Sequence, residues 1–378
     1  MTIKVILPLA AAVLAAVPCI TAAAYADTSA GACLINAVTG ETVFEKNSYE
    51  KLPMASTTKI MTLLTALENS EPDEQVTVSV NAAGQEGSSA YIEAGAVISM
   101  NDLSYGLMLN SGNDAAVAIA EHVSGSAEAF AEKMNSLAGE IGLKDTEFKN
   151  PNGLNAEGHY TTARDLAVLT RYALKNEEFA QIVSTRSYTA HQTLKDGTVK
   201  EVEYINHNKL LGAYEGCIGV KTGYTETAGR CLVSAAERGG AVYIAVTLNS
   251  KNDWAEHKAM LDHGFETART VTAVEKGECV RHIVSESGAC ELVAADSFEI
   301  PVNSKKGTDV TVRIDISDMI APPLNKGEKV GILEIYSGDE LLGTVDAVAA
   351  SDLSLEGGYK AKPCFFTAMI RIIKSILG

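Results

Sequence analysis

The sequence predicts an α+β fold, an antiparallel sheet with helices packed on it followed by a small all-β domain, and three features predict it. Between Ala30 and about Phe265 strand-like and helix-like segments alternate, with strands at both ends and helices between, so the first and last strands are expected to meet in one sheet. Beyond about Arg269 the helical period disappears, and short Val- and Ile-rich runs succeed one another at turn signals. A chain of 378 residues, 46% of them hydrophobic, has enough apolar surface for two moderate cores.

The chain begins with "MTIKVILPLAAAVLAAVPCITAAAYADTS": Lys4, an apolar run from Val5 to about Val17, and the small-x-small triplet Ala24-Tyr25-Ala26. This is the pattern of a cleavable secretory signal over residues 1–26, with the mature chain starting near Asp27. The apolar run is short of the roughly 20 residues that a membrane-crossing helix needs. Pro18, where a small residue is expected, argues against lipidation of Cys19.

Residues 27–268 follow as one expected domain. "GACLINAVTGETVFEKN" reads as two strands around the turn Thr39-Gly40. "STTKIMTLLTALEN" repeats apolar residues at Ile60, Leu63, Leu64 and Leu67, the spacing of a helix. In "DLSYGLMLNSGNDAAVAIAEHVSG" Asp102 is the expected cap, Ser111-Gly112 a break, and Asp114 the start of a second helix. "AEAFAEKMNSLAGEIGL" is an amphipathic helix ending at Gly142, and "TTARDLAVLTRYALKN" opens on a capping box of Thr162 and Asp165. "CIGVKTGYT" and "CLVSAAERGGAVYIAVTLNS" are strand-like, and "DWAEHKAMLDHGFETA" is the last helix.

Residues 269–356 contain "CVRHIV", "CELVAA", "SFEIPV", "DVTVRIDI", "KVGILEIYS" and "ELLGTVDAVA", the pattern of a small sandwich or barrel. They offer no nucleophile with a base, so a structural or spacing domain is expected, with carbohydrate or protein binding as the alternative. In residues 357–378, "KPCFFTAMIRIIKSILG" placed on a helix gathers Phe365, Phe366, Met369, Ile372, Ile373 and Ile376 on one side and Arg371 and Lys374 on the other. Such a helix fits the interface of an anionic membrane, and the alternative is docking on its own protein.

A net charge of −17 argues against nucleic acid, which wants a basic surface. Apart from Cys19, the cysteines are Cys33, Cys217, Cys231, Cys279, Cys290 and Cys364; no zinc spacing occurs among them, and no metal or other cofactor is expected. They read as small buried hydrophobes, a pairing such as Cys279 with Cys290 being the alternative.

Chemistry enters at "MASTTKIMT", where Ser56 precedes Lys59 by three positions. On a helix that step brings hydroxyl and amine to the same side. Serine needs a neighbouring base, and a lysine desolvated by residues such as Met54, Ile60 and Met61 becomes one. Further on, "LNSGND" offers Ser111 and Asn113 at a helix break, and "GVKTGYT" offers Lys221, Thr222 and Gly223 in a strand. The order S-x-x-K, S-x-N, K-T-G resembles the penicillin-recognising serine enzymes. With "GLMLNSGNDAAVAIAEHVSGS", "FKNPNGLNAEGHYTTARDLAVL" and "GVKTGYTETAGRCLVSAAERGG", the chain from Ala30 to Phe265 resembles the low-molecular-mass D-alanyl-D-alanine carboxypeptidases, and the β domain and tail match that family's layout.

The resemblance implies a β-lactamase/transpeptidase-like catalytic domain, peptidoglycan stem peptides as substrate and β-lactams as inhibitors. It implies that Ser56 attacks the carbonyl between the two D-alanines, that Lys59 takes its proton, and that Ser111 relays a proton to the leaving amine. It places Asn113 on the substrate amide, Lys221 and Thr222 on the terminal carboxylate, Gly223 at the strand edge, and the backbone N–H groups of Ser56 and Tyr224 in the oxyanion hole. The expected location is the outer face of the cell membrane, held peripherally.

Two departures bear on this. Relatives carry an arginine near the start of the last helix where this chain reads "KNDWAEH", with Asp253 at about that place, so the carboxylate is expected to depend more on Lys221. No E-x-x-L-N segment is present to activate water as class A β-lactamases do, which argues against a dedicated antibiotic hydrolase. Cross-link endopeptidase activity or a weakly catalytic β-lactam or peptidoglycan sensor remain the alternatives. His159 is read as structural, Asn152-Gly153 as a turn, and Trp254 as packing.

Overall fold

A computed structural model describes residues 25–26, 28–285, 288–303, 310–316, 323–354 and 359–363. Residues 1–24 of the secretory-signal run and the apolar tail from residue 364 onward therefore lie outside the described residues. The first unit runs β1 (Gly31–Asn36), β2 (Thr42–Lys46), a 3₁₀ turn (Ala55–Thr58), α1 (Lys59–Leu67), β3 (Gln75–Thr77), α2 (Val80–Ala83), β4 (Val97–Ser99), α3 (Met100–Leu109), α4 (Asn113–Ser124) and α5 (Ala127–Ile141). It continues with α6 (Ala163–Ala173), α7 (Glu177–Ser184), β5 (Ser187–Thr193), β6 (Val199–Ile205), β7 (Cys217–Thr225), β8 (Gly229–Arg238), β9 (Ala241–Ser250) and α8 (Asp253–Thr267).

The strands at the two ends of this unit do meet. The main antiparallel sheet has the order β2-β1-β9-β8-β7, so β7 is an outer strand. One face packs Leu34, Leu232 and Tyr243 against Met260 and Leu261 of α8. The other packs Cys33, Val233, Ile244 and Val246 into the large core of the helical layer. α1 is buried on almost every side from Lys59 to Ala66, which suits an element that must carry a lysine away from water.

Local signals act as expected at Gly142, which caps α5 in the left-handed region, and at Thr162, whose hydroxyl accepts from Asp165 N at 3.0 Å. At α3 the expectation is corrected. Ser99, not Asp102, is the cap, accepting from Asp102 N at 3.0 Å, while the Asp102 carboxylate accepts from Tyr188 Oη at 2.7 Å. A second sheet, β3-β4-β5-β6, was not anticipated. Its longest hairpin turns at Asp196-Gly197, and its strands alternate exposed with half-buried or buried residues, but Gln192 and Lys200 lie on the covered face and Val199 and Ile205 on the exposed one, so no apolar period betrays it.

The second unit contains β10 (Arg269–Val274), β11 (Cys279–Ser285), β12 (Gly288–Ala294), β13 (Phe298–Val302), β14 (Val310–Ile316), β15 (Lys329–Ser337), β16 (Glu340–Ala349) and β17 (Tyr359–Pro363). β10 pairs with β13, and the larger sheet has the order β14-β15-β16-β12-β11-β17 around a core that includes Ile283, Leu292, Ile300, Leu333 and Ile335. The six quoted runs are thus β11 to β16. The segment expected as helix from residue 357 is instead strand over Tyr359–Pro363, because it completes the edge of β11; Pro363 ends it, where a missing N–H matters least.

Cys290 is a free, buried thiol and Cys279 is disulfide-bonded elsewhere, so these two do not pair. The register explains it: Cys290 lies opposite Ile283, four residues along β11 from Cys279, or about 13 Å at strand rise, beyond disulfide reach.

Among the described residues, polar joints connect the units. Arg171 of α6 donates to Ala37 O and Val38 O and pairs with Glu340 at 2.5 Å, where Lys175 joins at 2.6 Å. Asn303 accepts from Tyr243 Oη at 2.8 Å and donates to Gly264 O and Thr267 Oγ1 at 2.8 and 2.9 Å.

Candidate active site

Ser56 sits in the 3₁₀ turn rather than in regular α-helix, and three-residue periodicity eclipses positions i and i+3. Lys59, the next residue after that turn, is therefore directly below it, with Nζ 3.1 Å from Ser56 Oγ. The turn is entered through Ala55 at φ +47°, unfavourable for a side chain and held by neighbours. Thr58 Oγ1 donates to Ala55 O at 2.8 Å, and Gly153 packs so closely that a Cβ there would lie 2.1 Å from the same oxygen.

Lys59 is fully buried. Its amine also donates to Asn113 Oδ1 at 2.7 Å and to Asn152 O at 2.6 Å. Asn113 Nδ2 donates to Glu86 O at 2.6 Å, which fixes the amide so that its oxygen faces the lysine. Burial, reinforced by the Lys221 charge and opposed by Asp114, holds the Lys59 pKa well below the ordinary lysine value. Asn152 O is a contact that sequence reading missed: "NPNG" looks like a turn, and only its packing against the Ser56 turn makes it part of the site.

Ser111 occupies the break between α3 and α4 at φ +59°, a conformation uncommon for a non-glycine residue and frequent at working sites. Behind it, Asp114 accepts from Ser89 Oγ at 2.6 Å and Ala90 N at 2.8 Å, tying the adjoining loop down. The third wall is β7. A Cβ on Gly223 would lie 3.0 Å from Ser56 N and 3.1 Å from Thr57 N, so a bare residue lets the strand approach the turn.

Ser56, Ser111, Thr222, Gly223 and Tyr224 line one cavity of about 460 Å³. Its remaining wall includes His207, Lys209, Arg230, Asp253 and Trp254, so Trp254 faces the site rather than serving only as packing. Asn113 and Lys221 stand behind this wall. Lys221 is 1% exposed, donates to Thr222 O at 3.0 Å, and is pushed down to about 7 by burial. His159 is outside the cavity: Nδ1 accepts from Lys149 N at 3.0 Å, leaving Nε2–H for Thr58 Oγ1 at 2.8 Å, and burial first, then the Lys149 charge, lowers it to about 4. It is a neutral brace for the turn. Away from the site, Cys279, His282 and Glu291 cluster in the β domain, but the disulfide at Cys279 removes the thiolate a metal would need.

A hydroxyl on a desolvated amine, with a second hydroxyl and a bare strand edge across a cavity, is equipment for acyl transfer. Comparison with known proteins agrees. The D-alanyl-D-alanine carboxypeptidase family model matches residues 19–252, and that of the penicillin-binding protein 5 C-terminal domain matches residues 269–354. D-alanyl-D-alanine carboxypeptidase DacF of Bacillus subtilis is 35% identical over 344 residues, 88% of this chain and 87% of that protein. The crystal structure of the Streptomyces K15 DD-transpeptidase is similar at TM-score 0.61 and 34% identity, covering 63% of this chain and 97% of its own. That of D-alanyl-D-alanine carboxypeptidase DacD from Francisella tularensis has TM-score 0.61 and 27% identity, covering 87% and 94%.

Proposed function

The chain belongs to the D-alanyl-D-alanine carboxypeptidase family of penicillin-binding serine peptidases, and from that premise we propose how its own residues perform the reaction. The protein is a serine-type D-Ala-D-Ala carboxypeptidase, which removes the terminal D-alanine of peptidoglycan stem peptides. The observation that carries the residue assignment is the bonding of Lys59. A neutral amine has two N–H groups and one lone pair; Asn113 Oδ1 and Asn152 O, both acceptors, use the two N–H groups, so the lone pair is left for the Ser56 hydroxyl.

Ser56 Oγ attacks the carbonyl of the D-Ala-D-Ala bond as Lys59 takes its proton. The backbone N–H groups of Ser56 and Tyr224 hold the oxyanion, an arrangement that typically contributes about 3–4 kcal/mol. Ser111, facing the same cavity, gives its proton to the departing amine of D-alanine and takes the one held by Lys59 in exchange, which returns Lys59 to its neutral form. Asn113 keeps Lys59 oriented and offers the substrate amide the rim of its own carboxamide, while Thr222 and the edge of Gly223 receive the C-terminal residue. Lys221 adds positive potential from behind the strand. Water, deprotonated by the same amine, then cleaves the acyl-enzyme; a β-lactam acylates Ser56 and is trapped there.

The layout we propose is a secretory signal at 1–26, the catalytic domain at 27–268 and the β domain at 269–356, with the strand Tyr359–Pro363 leading to an amphipathic run that binds the outer membrane surface. No helix among the described residues is long and apolar enough to cross a membrane. A mature chain ending at Pro363 that still bound anionic vesicles as well as the full mature chain would sink the membrane assignment. The catalytic assignment is tested by measuring D-alanine released from a D-Ala-D-Ala-ended stem peptide, beside Ser56→Ala. Release in the parent that disappears in the variant is expected, and release that survives would move the nucleophile elsewhere.

A further inference from the structure

We infer that Arg230, seated on Asp253, is the residue that binds the substrate's terminal carboxylate; the inference rests on the carboxypeptidase reading above. It starts from the sheet. Thr222 and Tyr224 are two apart on β7 and so share a face, and Arg230 lies directly opposite Tyr224 on β8, which puts it on that face diagonally from Thr222. Arg230, Asp253, Thr222 and Ser56 line the same cavity.

The pair is oriented for a ligand. Arg230 Nε donates to Asp253 Oδ2 at 3.1 Å and Nη2 reaches Oδ1 at 2.7 Å. The Asp253 side chain is 6% exposed and that of Arg230 46%, so the carboxylate is sunk in the wall while the guanidinium presents itself. Two of its five N–H groups are used, and three remain for a second carboxylate. Without Arg230, Asp253 would repel a C-terminal carboxylate; with it, the pair is neutral and rich in donors, and Lys209 on the same wall adds a positive charge.

Lys221, the cation that the sequence favours for this task, is poorly placed for it. It is adjacent to Thr222 in an extended strand, hence on the opposite face, fully buried, and bonded to Thr222 O. The cation missing from the start of α8 is thus supplied from the neighbouring strand, and Asp253 holds it in register.

The test compares two acyl donors on the mature protein: a stem peptide ending in D-Ala-D-Ala, and the same acyl-D-alanine as its p-nitrophenyl ester, whose leaving group has no carboxylate. For Arg230→Gln the expected result is a roughly 10- to 100-fold fall in kcat/KM on the peptide, mostly in KM, with ester hydrolysis within about twofold of the parent. Arg230→Lys should recover part of the loss, and Asp253→Asn should give a smaller loss of the same selective kind. An equal fall on both donors would make Arg230 a purely structural residue, and an unchanged peptide rate would remove it from recognition; either overturns the proposal. A parent protein that hydrolyses the ester yet releases no D-alanine would instead overturn the carboxypeptidase reading, and this proposal with it.

Discussion

At the scale of single residues the site depends on two buried lysines of different use. Only a neutral Lys59 accepts the Ser56 proton, so kcat/KM should hold at high pH and fall as pH drops through its lowered pKa, giving an acid limb below the roughly 10.4 of a free lysine. Lys221→Met removes the like charge that helps depress Lys59, so the limb should move to higher pH. The same variant should melt higher. Lys221 titrates near 7 folded and at about 10.4 unfolded, so between those values the unfolded chain binds more protons and stability rises with pH; at neutral pH the buried amine costs a few kcal/mol. A pH–rate profile with a thermal melt tests both, and an unmoved limb would show the two amines to be uncoupled. Ser56 and Lys59 were legible because their relation is local, one turn of chain. Asn152 O and Arg230 were not, because each reaches the site only through packing of distant segments.

Elements explain why the turn stays in its strained form. Gly153 at φ +86° presses on Ala55 O, so Gly153→Ala adds both an unfavourable backbone and a clash with main chain that has no room to yield. A loss of about 2–4 kcal/mol in stability is expected, together with a larger fall in D-alanine release than global unfolding accounts for, because the displaced atom carries the Ser56 turn. Wild-type melting and turnover in this variant would show that the loop does not support the turn. Helices with an apolar stripe and a capping residue, such as α5 and α6, could be read directly. The hairpin of β5 and β6 could not, since polar Gln192 and Lys200 on its covered face and apolar Val199 and Ile205 on its exposed face blur the period, although Asp196-Gly197 marked its turn.

Across the whole molecule, Glu340 receives both Arg171 and Lys175, and Arg171 is mostly buried. Glu340→Ala leaves that guanidinium without its counter-charge, and a loss of about 1–3 kcal/mol is expected in a melt, with D-alanine release unchanged because the joint lies away from the cavity. A fall in turnover would mean that the β domain acts on the catalytic site. The two-unit layout was legible from the change of period near Arg269, whereas the joint was not: it pairs residues more than 160 positions apart. The central claim, that acyl transfer runs through Ser56, is tested most directly by mass spectrometry of the intact mature protein after exposure to benzylpenicillin, followed by peptide mapping. One penicilloyl group per chain on the peptide containing Ser56, absent from Ser56→Ala, is predicted. A stoichiometric adduct on any other residue would contradict the account.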